Sequence, residues 1–254
     1  MIRTNNIQKS YKENHVLKGV ELSCEMGKIQ ALLGANGSGK STLIHIVSGI
    51  LEQDSGVYFI DYEEINIDSY AYRYKVGYVF EKPMYIEKFS AKEYLEFVAK
   101  LYKIPKSESQ NSILELLSFF DLPTDKKYIE TYSKGMQGKV SLAAALIHKP
   151  KYLILDEPFD GIDFMSVQKI SKLFKSLSAK GVTIFITSHQ YDVISEMCDS
   201  FALLKDGKIL FNVAFDQLIE MSRDYSEEKN PVKSFLENLM KTDSGSYNLK
   251  YLDV

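Results

Sequence analysis

The stretch Gly34-Ala35-Asn36-Gly37-Ser38-Gly39-Lys40-Ser41 restricts this chain more than any other. It fits G-x-x-x-x-G-K-[ST] and lies between a short apolar run at 29–33 and a helical stretch at 41–48. Gly49, a residue type favoured just past a helix end, closes that stretch. Glycines let the main chain curl until successive N–H groups surround phosphate oxygens, and a helix N-terminus adds unpaired donors and a favourable dipole. In such a loop Lys40 brings a point charge to the β- and γ-phosphates of a nucleotide. The Ser41 hydroxyl, with Thr42 beside it, is placed to ligate Mg²⁺. The pattern arises by accident in about one chain per hundred of this size, and the strand-loop-helix context makes accident rarer still.

A magnesium nucleotide also needs a carboxylate at the end of a neighbouring buried strand. Residues 151–157, Lys-Tyr-Leu-Ile-Leu-Asp-Glu, supply an apolar run and then two acids. Asp156 is the candidate for holding the metal, directly or through water, and Glu157 for orienting and deprotonating the attacking water. By themselves, two acids after an apolar run are more often an ordinary strand end. Their place downstream of a phosphate loop reverses that reading.

Elsewhere the punctuation alternates strands with helices. Strands are expected at 57–60, 76–80, 152–155 and 182–187, and a helix between the last two carries Val167, Ile170, Phe174 and Leu177 at helical spacing. This argues for an α/β fold whose mostly parallel sheet is covered on both faces. Residues 88–145 have another texture. Ser90-Ala-Lys-Glu93 reads as a capping box opening a helix with Tyr94, Leu95, Val98, Leu101 and Tyr102 on one side. Residues 103–109 break it, and Ile113, Leu114, Leu117 and Phe120 mark a second helix, so an all-helical insertion is expected. Downstream, Asp206-Gly207 between apolar runs signals a hairpin. A polar break at 222–230 precedes an amphipathic helix with Val232, Phe235, Leu236, Leu239 and Met240, expected to pack on its own domain. The remainder from Thr242 reads as a loosely held tail. The expected division is a nucleotide-binding domain at 1–220 and a linker, helix and tail at 221–254.

Composition narrows the setting. With 31 Lys+Arg against 34 Asp+Glu the net charge is −3, which gives no reason to expect nucleic acid as a partner. No apolar run approaches the roughly 18 residues of a membrane span, and the first 15 residues are polar. The chain is therefore expected in the cytoplasm, with any membrane connection made through a partner. Cys24 and Cys198 supply neither a disulfide framework nor a metal spacing, which fits a reducing compartment.

Further motifs follow in order: Val76-Gly-Tyr-Val-Phe-Glu81, Tyr132-Ser133-Lys134-Gly135-Met136, Pro158-Phe159-Asp160-Gly161-Ile162-Asp163 and Thr187-Ser188-His189. Each alone has a plainer reading: a solvated loop acid, a helix cap, a cap again, a structural histidine. Together with the phosphate loop they resemble the ABC-type ATPases, the nucleotide-binding subunits of ABC transporters, over about residues 1–220. The resemblance implies a P-loop NTPase core with an N-terminal antiparallel β portion and an inserted helical subdomain. It implies that Tyr11 stacks on adenine and that His189 senses the γ-phosphate. It puts Asp163 in the D-loop, and Ser133 and Gly135 in the signature that meets ATP held by a second ATP-binding subunit. Two copies, or this chain and a sister, would then close head to tail around two ATP molecules.

Two departures stand out. Glu81 occupies the place of the family's Q-loop glutamine; it can still bind Mg²⁺ or water but adds negative charge. Lys134 and Met136 replace Gly and Gln of the L-S-G-G-Q signature, and Met cannot replace an amide's hydrogen bonds. These forms resemble the exporter-like (ABC-2) branch. The implied function is a peripheral ATPase on the cytoplasmic face of the membrane, energising export through a separate membrane-spanning permease. Docking is expected along 81–97, with Met84, Tyr85 and Phe89. The alternative is a soluble ATPase of the same family in cofactor assembly or macromolecular remodelling.

Overall fold

A computed structural model describes residues 1–65, 71–188, 191–225 and 229–241. Three strands carry the logic of the molecule: β3 (Ile29–Leu33), β7 (Tyr152–Asp156) and β8 (Thr183–Thr187), each buried at every position. Strands buried on both faces read as continuous apolar runs, and their side chains still alternate. Thus Leu153, Leu155, Ile184 and Ile186 enter one core, while Tyr152, Ile154 and Phe185 enter the other.

These strands belong to a 6-stranded sheet in the order β10-β9-β3-β8-β7-β6, completed by β6 (Val76–Val79), β9 (Ser200–Lys205) and β10 (Lys208–Ala214). All its pairs are parallel except β9–β10, the hairpin that Asp206-Gly207 closes. The second core lies between this sheet, helix α1 (Lys40–Val47) and a 4-stranded antiparallel sheet in the order β2-β1-β4-β5. Its strands are β1 (Ile2–Tyr11), β2 (Asn14–Cys24), β4 (Ser55–Ile60) and β5 (Glu63–Glu64).

On the opposite face lie α2 (Ala91–Leu101), α3 (Lys106–Phe119), α4 (Lys134–Leu146) and α5 (Phe164–Ala179). The capping box forms: Ser90 Oγ accepts from the Glu93 N–H, and Glu93 Oε2 accepts from the Ser90 N–H at 2.8 Å. Two expectations need correction. Leu101 is 59% exposed, because the helix turns its last residue away from the stripe formed by Leu95 and Val98. The break expected at 103–109 ends at Pro105, the residue before α3, since proline's fixed φ suits a helix start.

The short α6 (Tyr191–Ile194) lies between β8 and β9, and after β10 come α7 (Phe215–Met221), which periodicity did not reveal, and α8 (Pro231–Lys241). Helix α8 buries Val232, Phe235, Leu236 and Leu239 in the first core, as expected. The tail expected from Thr242 lies outside the described residues, as does His189. Among the described residues no helix is long and apolar enough to cross a membrane.

Candidate functional site

Parallel pairing brings three strand ends to one edge. Leu32 pairs with Thr187, and Thr187 with Asp156, so the chain leaves β3 for its glycine loop beside the acidic end of β7. Ligands of open α/β sheets bind at this carboxyl edge. Gly39 ends the loop in the left-handed region, φ +106°, where a Cβ would also lie 2.8 Å from Leu17. No side chain caps the helix that follows.

Lys40 is buried, and its Nζ donates to the carbonyls of Gly34 at 2.9 Å and Ala35 at 3.1 Å. Burial pushes its ammonium below the ordinary lysine pKa, while the carboxylates of Glu157, Asp156 and Glu81 pull it back up. A cavity of ≈ 590 Å³ opens here, lined by Val16, Asn36, Gly37, Gly39, Lys40, Ser41, Thr42, Glu81, Glu157 and Asp160. A second space of ≈ 290 Å³ lies on the other flank of the loop, touching Ala35 to Ser38, the β9–β10 turn and Met240.

Asp156 sits beneath this edge, 1% exposed. Its Oδ1 accepts from Thr187 Oγ1 at 2.6 Å, and the same Thr187 oxygen accepts from the Glu157 N–H at 3.0 Å. Asp156 Oδ2 and Ser38 Oγ are buried with no hydrogen-bond partner among the described residues. Buried polar atoms left alone cost about 1–3 kcal/mol each, so such atoms ask for a ligand. At Gly34 a Cβ would come within 2.5 Å of Ser38 Oγ and 2.4 Å of the Leu204 carbonyl, so only glycine keeps this cradle open. These features fit a nucleotide tail with a hard cation. Among the described residues no three His, Cys, Asp or Glu side chains assemble into a metal cluster. A cation here would draw on phosphate and water oxygens beside one or two protein ligands, as Mg²⁺ does.

The remaining residues singled out by the motifs lie apart from this cavity. Tyr11, at the end of β1, is 48% exposed and does not line it; Val16 does. Ser133 caps α4, accepting from the Met136 N–H at 3.3 Å. Asp163 caps α5, accepting from the Ser166 N–H at 2.9 Å, and pairs with Lys139 at 3.3 Å. The Ser166 bonds, then Lys139, hold its carboxyl well below the usual carboxylate range. Gly135 lies under the 160–163 loop, where a Cβ would meet the Gly161 carbonyl at 2.2 Å. Lys134 Nζ reaches Asp160 at 2.5 Å, so the signature segment is tied to a residue of the cavity wall.

Sequence reasoning missed Asp160 and Val16 as lining residues, and gave Thr187 no role of its own. Only the place of Thr187 at the last position of a buried strand, next to a strand ending in Asp, hinted at it.

Known proteins resemble this chain in sequence and fold. Residues 17–160 match the ABC transporter family. The linearmycin resistance ATP-binding protein LnrL of Bacillus subtilis is 34% identical over 83% of this chain and 68% of its own length. The lantibiotic transport ATP-binding protein SrtF of Streptococcus pyogenes is 31% identical over 85% of this chain and 92% of its own. Among solved structures, a dimeric post-hydrolysis state of an ATP-binding cassette bound to ADP and Pi superposes with a TM-score of 0.78. It is 26% identical and covers 85% of this chain and 99% of that one. The phosphate loop, the acidic end of β7 and these likenesses agree: the chain belongs to the ABC transporter family, as an ATP-binding and ATP-hydrolysing subunit.

Proposed function

We propose that this chain is a Mg²⁺-dependent ATPase that closes in pairs, with itself or a sister subunit, and drives export through a separate membrane permease from the cytoplasmic face. The observation that carries the reading is a pair of buried atoms without a partner among the described residues, Asp156 Oδ2 and Ser38 Oγ, beside a glycine loop that Lys40 already braces. The names of LnrL and SrtF, a resistance protein and a lantibiotic transport protein, support transport and its outward direction over soluble assembly work. The ATP-binding domain is taken as residues 1–220, with the helical insertion at 88–145, and 221–254 as an appended linker, helix and tail.

In this reading the loop residues Gly34, Ala35, Asn36, Gly37, Ser38, Gly39 and Thr42 wrap the phosphates with main-chain and hydroxyl donors. Two of the three Lys40 donors are spent on loop carbonyls, and the third serves a phosphate oxygen. Ser41 and Asp156 would hold Mg²⁺, with Glu81 in reach of it; when bound, the ion neutralises charge on the β- and γ-phosphates. Glu157 takes a proton from the attacking water as its oxygen bonds to the γ-phosphorus and ADP departs.

Tyr11 stacks on adenine from the exposed end of β1. Ser133, Gly135 and Asp163 complete the partner's site, and His189 contacts the γ-phosphate. The exposed Met84 with half-buried Tyr85 and Phe89 receives the permease. Recovery of the tagged chain from detergent-solubilised membranes together with a multi-helix membrane protein, whose reconstitution stimulates ATP turnover, is the expected outcome. Recovery with soluble proteins alone would overturn the transport reading.

A further inference from the structure

We infer that Thr187 is a positioning residue for the metal, dividing the two acids at the end of β7 into different tasks. With Asp156 read as metal holder and Glu157 as base, on which this inference rests, one hydroxyl joins the two. Thr187 Oγ1 lies 2.6 Å from Asp156 Oδ1 and 3.0 Å from the Glu157 nitrogen. An amide N–H can only donate and an ionised carboxylate can only accept, so the hydroxyl hydrogen must point at Asp156 and its lone pair at Glu157. Thr187 is 0% exposed, and water does not compete for either bond.

Two consequences follow. The carboxylate of Asp156 has one oxygen engaged and one, Oδ2, without a partner among the described residues, so it meets a cation through a single defined atom. The bond to the Glu157 N–H holds that residue where β7 ends and φ turns to +47°, a conformation that non-glycine residues adopt rarely. Strand continuation would keep Glu157 in line with β7. The left-handed step accompanies its place in the cavity wall beside Lys40 and Ser41. One threonine on the neighbouring strand thus bonds to both acids where they part.

Thr187→Val keeps the shape and removes the hydroxyl; Thr187→Ser keeps the hydroxyl. Calorimetry of ATP binding with and without Mg²⁺ gives the gain in affinity that the metal provides, and the EPR spectrum of Mn²⁺ with ADP reports on its ligands. For Thr187→Val the expected result is metal-free ATP affinity within about twofold of the native chain, a metal-dependent gain at least tenfold smaller and an altered Mn²⁺ spectrum. Thr187→Ser should restore all three.

An undiminished gain in Thr187→Val, an equal loss of metal-free binding, or no rescue by serine would each overturn the inference. If the valine chain does not fold, Thr187→Ala, which likewise removes the hydroxyl, takes its place with the same expected direction. Asp156→Asn separates the two levels. If it loses the metal gain while the Thr187 variants keep theirs, only this inference fails. If Asp156→Asn also keeps it, the assignment of Asp156 to the metal fails.

Discussion

Helices α1 and α4 begin in opposite ways. At α1 the cap position is Gly39, no side chain closes the helix, and the neighbouring Ser38 hydroxyl is buried without a partner among the described residues. At α4 the cap is Ser133, whose hydroxyl already accepts from the Met136 N–H. Asp163 treats α5 as Ser133 treats α4. An uncapped N-terminus with orphaned polar atoms lowers stability unless an anion arrives, so the first end is shaped by its ligand. A self-capped end is complete within its own chain and can serve a phosphate only as a second use. The difference teaches which half of the proposed composite site stands preassembled, and which half depends on pairing.

The largest expected effect attacks the preassembled half. Lys40→Ala removes a buried cation and its charge-assisted bonds, and ATP affinity by calorimetry should fall about 100-fold or more. Glu157→Gln should leave ATP binding intact while turnover drops by about 10²–10⁴-fold. A closed pair should then accumulate, visible by light scattering with ATP; unchanged turnover would falsify the assignment of the base.

Against the self-capped half, effects should be smaller and should depend on pairing. Gly135→Ala drives a methyl into the Gly161 carbonyl, so thermal stability should fall by about 1–3 kcal/mol. Turnover should fall more than ATP affinity, because the distortion spreads through Gly161 to Asp160 in the cavity wall. Ser133→Ala should cost about 1 kcal/mol as a lost cap. If turnover of the pair is untouched by that change, the hydroxyl has only the local role, and the contrast between the two helix ends becomes absolute.

The smallest effect concerns pH. The carboxyl of Asp163 titrates below its ordinary value, so its contribution is present above that ordinary value of 3.8 and fades as pH falls toward the depressed folded value. Asn caps helices nearly as well as Asp but does not titrate. The melting temperature of Asp163→Asn should therefore decline less than that of the native chain between pH 5 and about pH 3.

Legibility was uneven for physical reasons. The loop at 34–41, the strands around it and the capping box at Ser90 are local devices: their signals sit in contiguous residues, and local sterics and hydrogen bonds enforce them. Helix α7 was not legible because its seven residues bury only Leu218 and give no stripe. The exposure of Leu101 was not legible either, since a residue at a helix end leaves the stripe whenever nothing packs beyond it.

The amino-acid order alone therefore determined that this molecule has a glycine-bounded anion loop between a strand and a helix, an acidic pair after a buried run, and the motifs of its family. Tertiary structure decided what these residues do to one another. Only the pairing of β3, β8 and β7 brings Thr187 between Asp156 and Glu157, and only the approach of the 160–163 loop makes Gly135 indispensable and sets Asp160 on the cavity wall. Hydrogen bonds between residues 31 positions apart leave no periodicity in a sequence, because the register that creates them is set by the whole sheet.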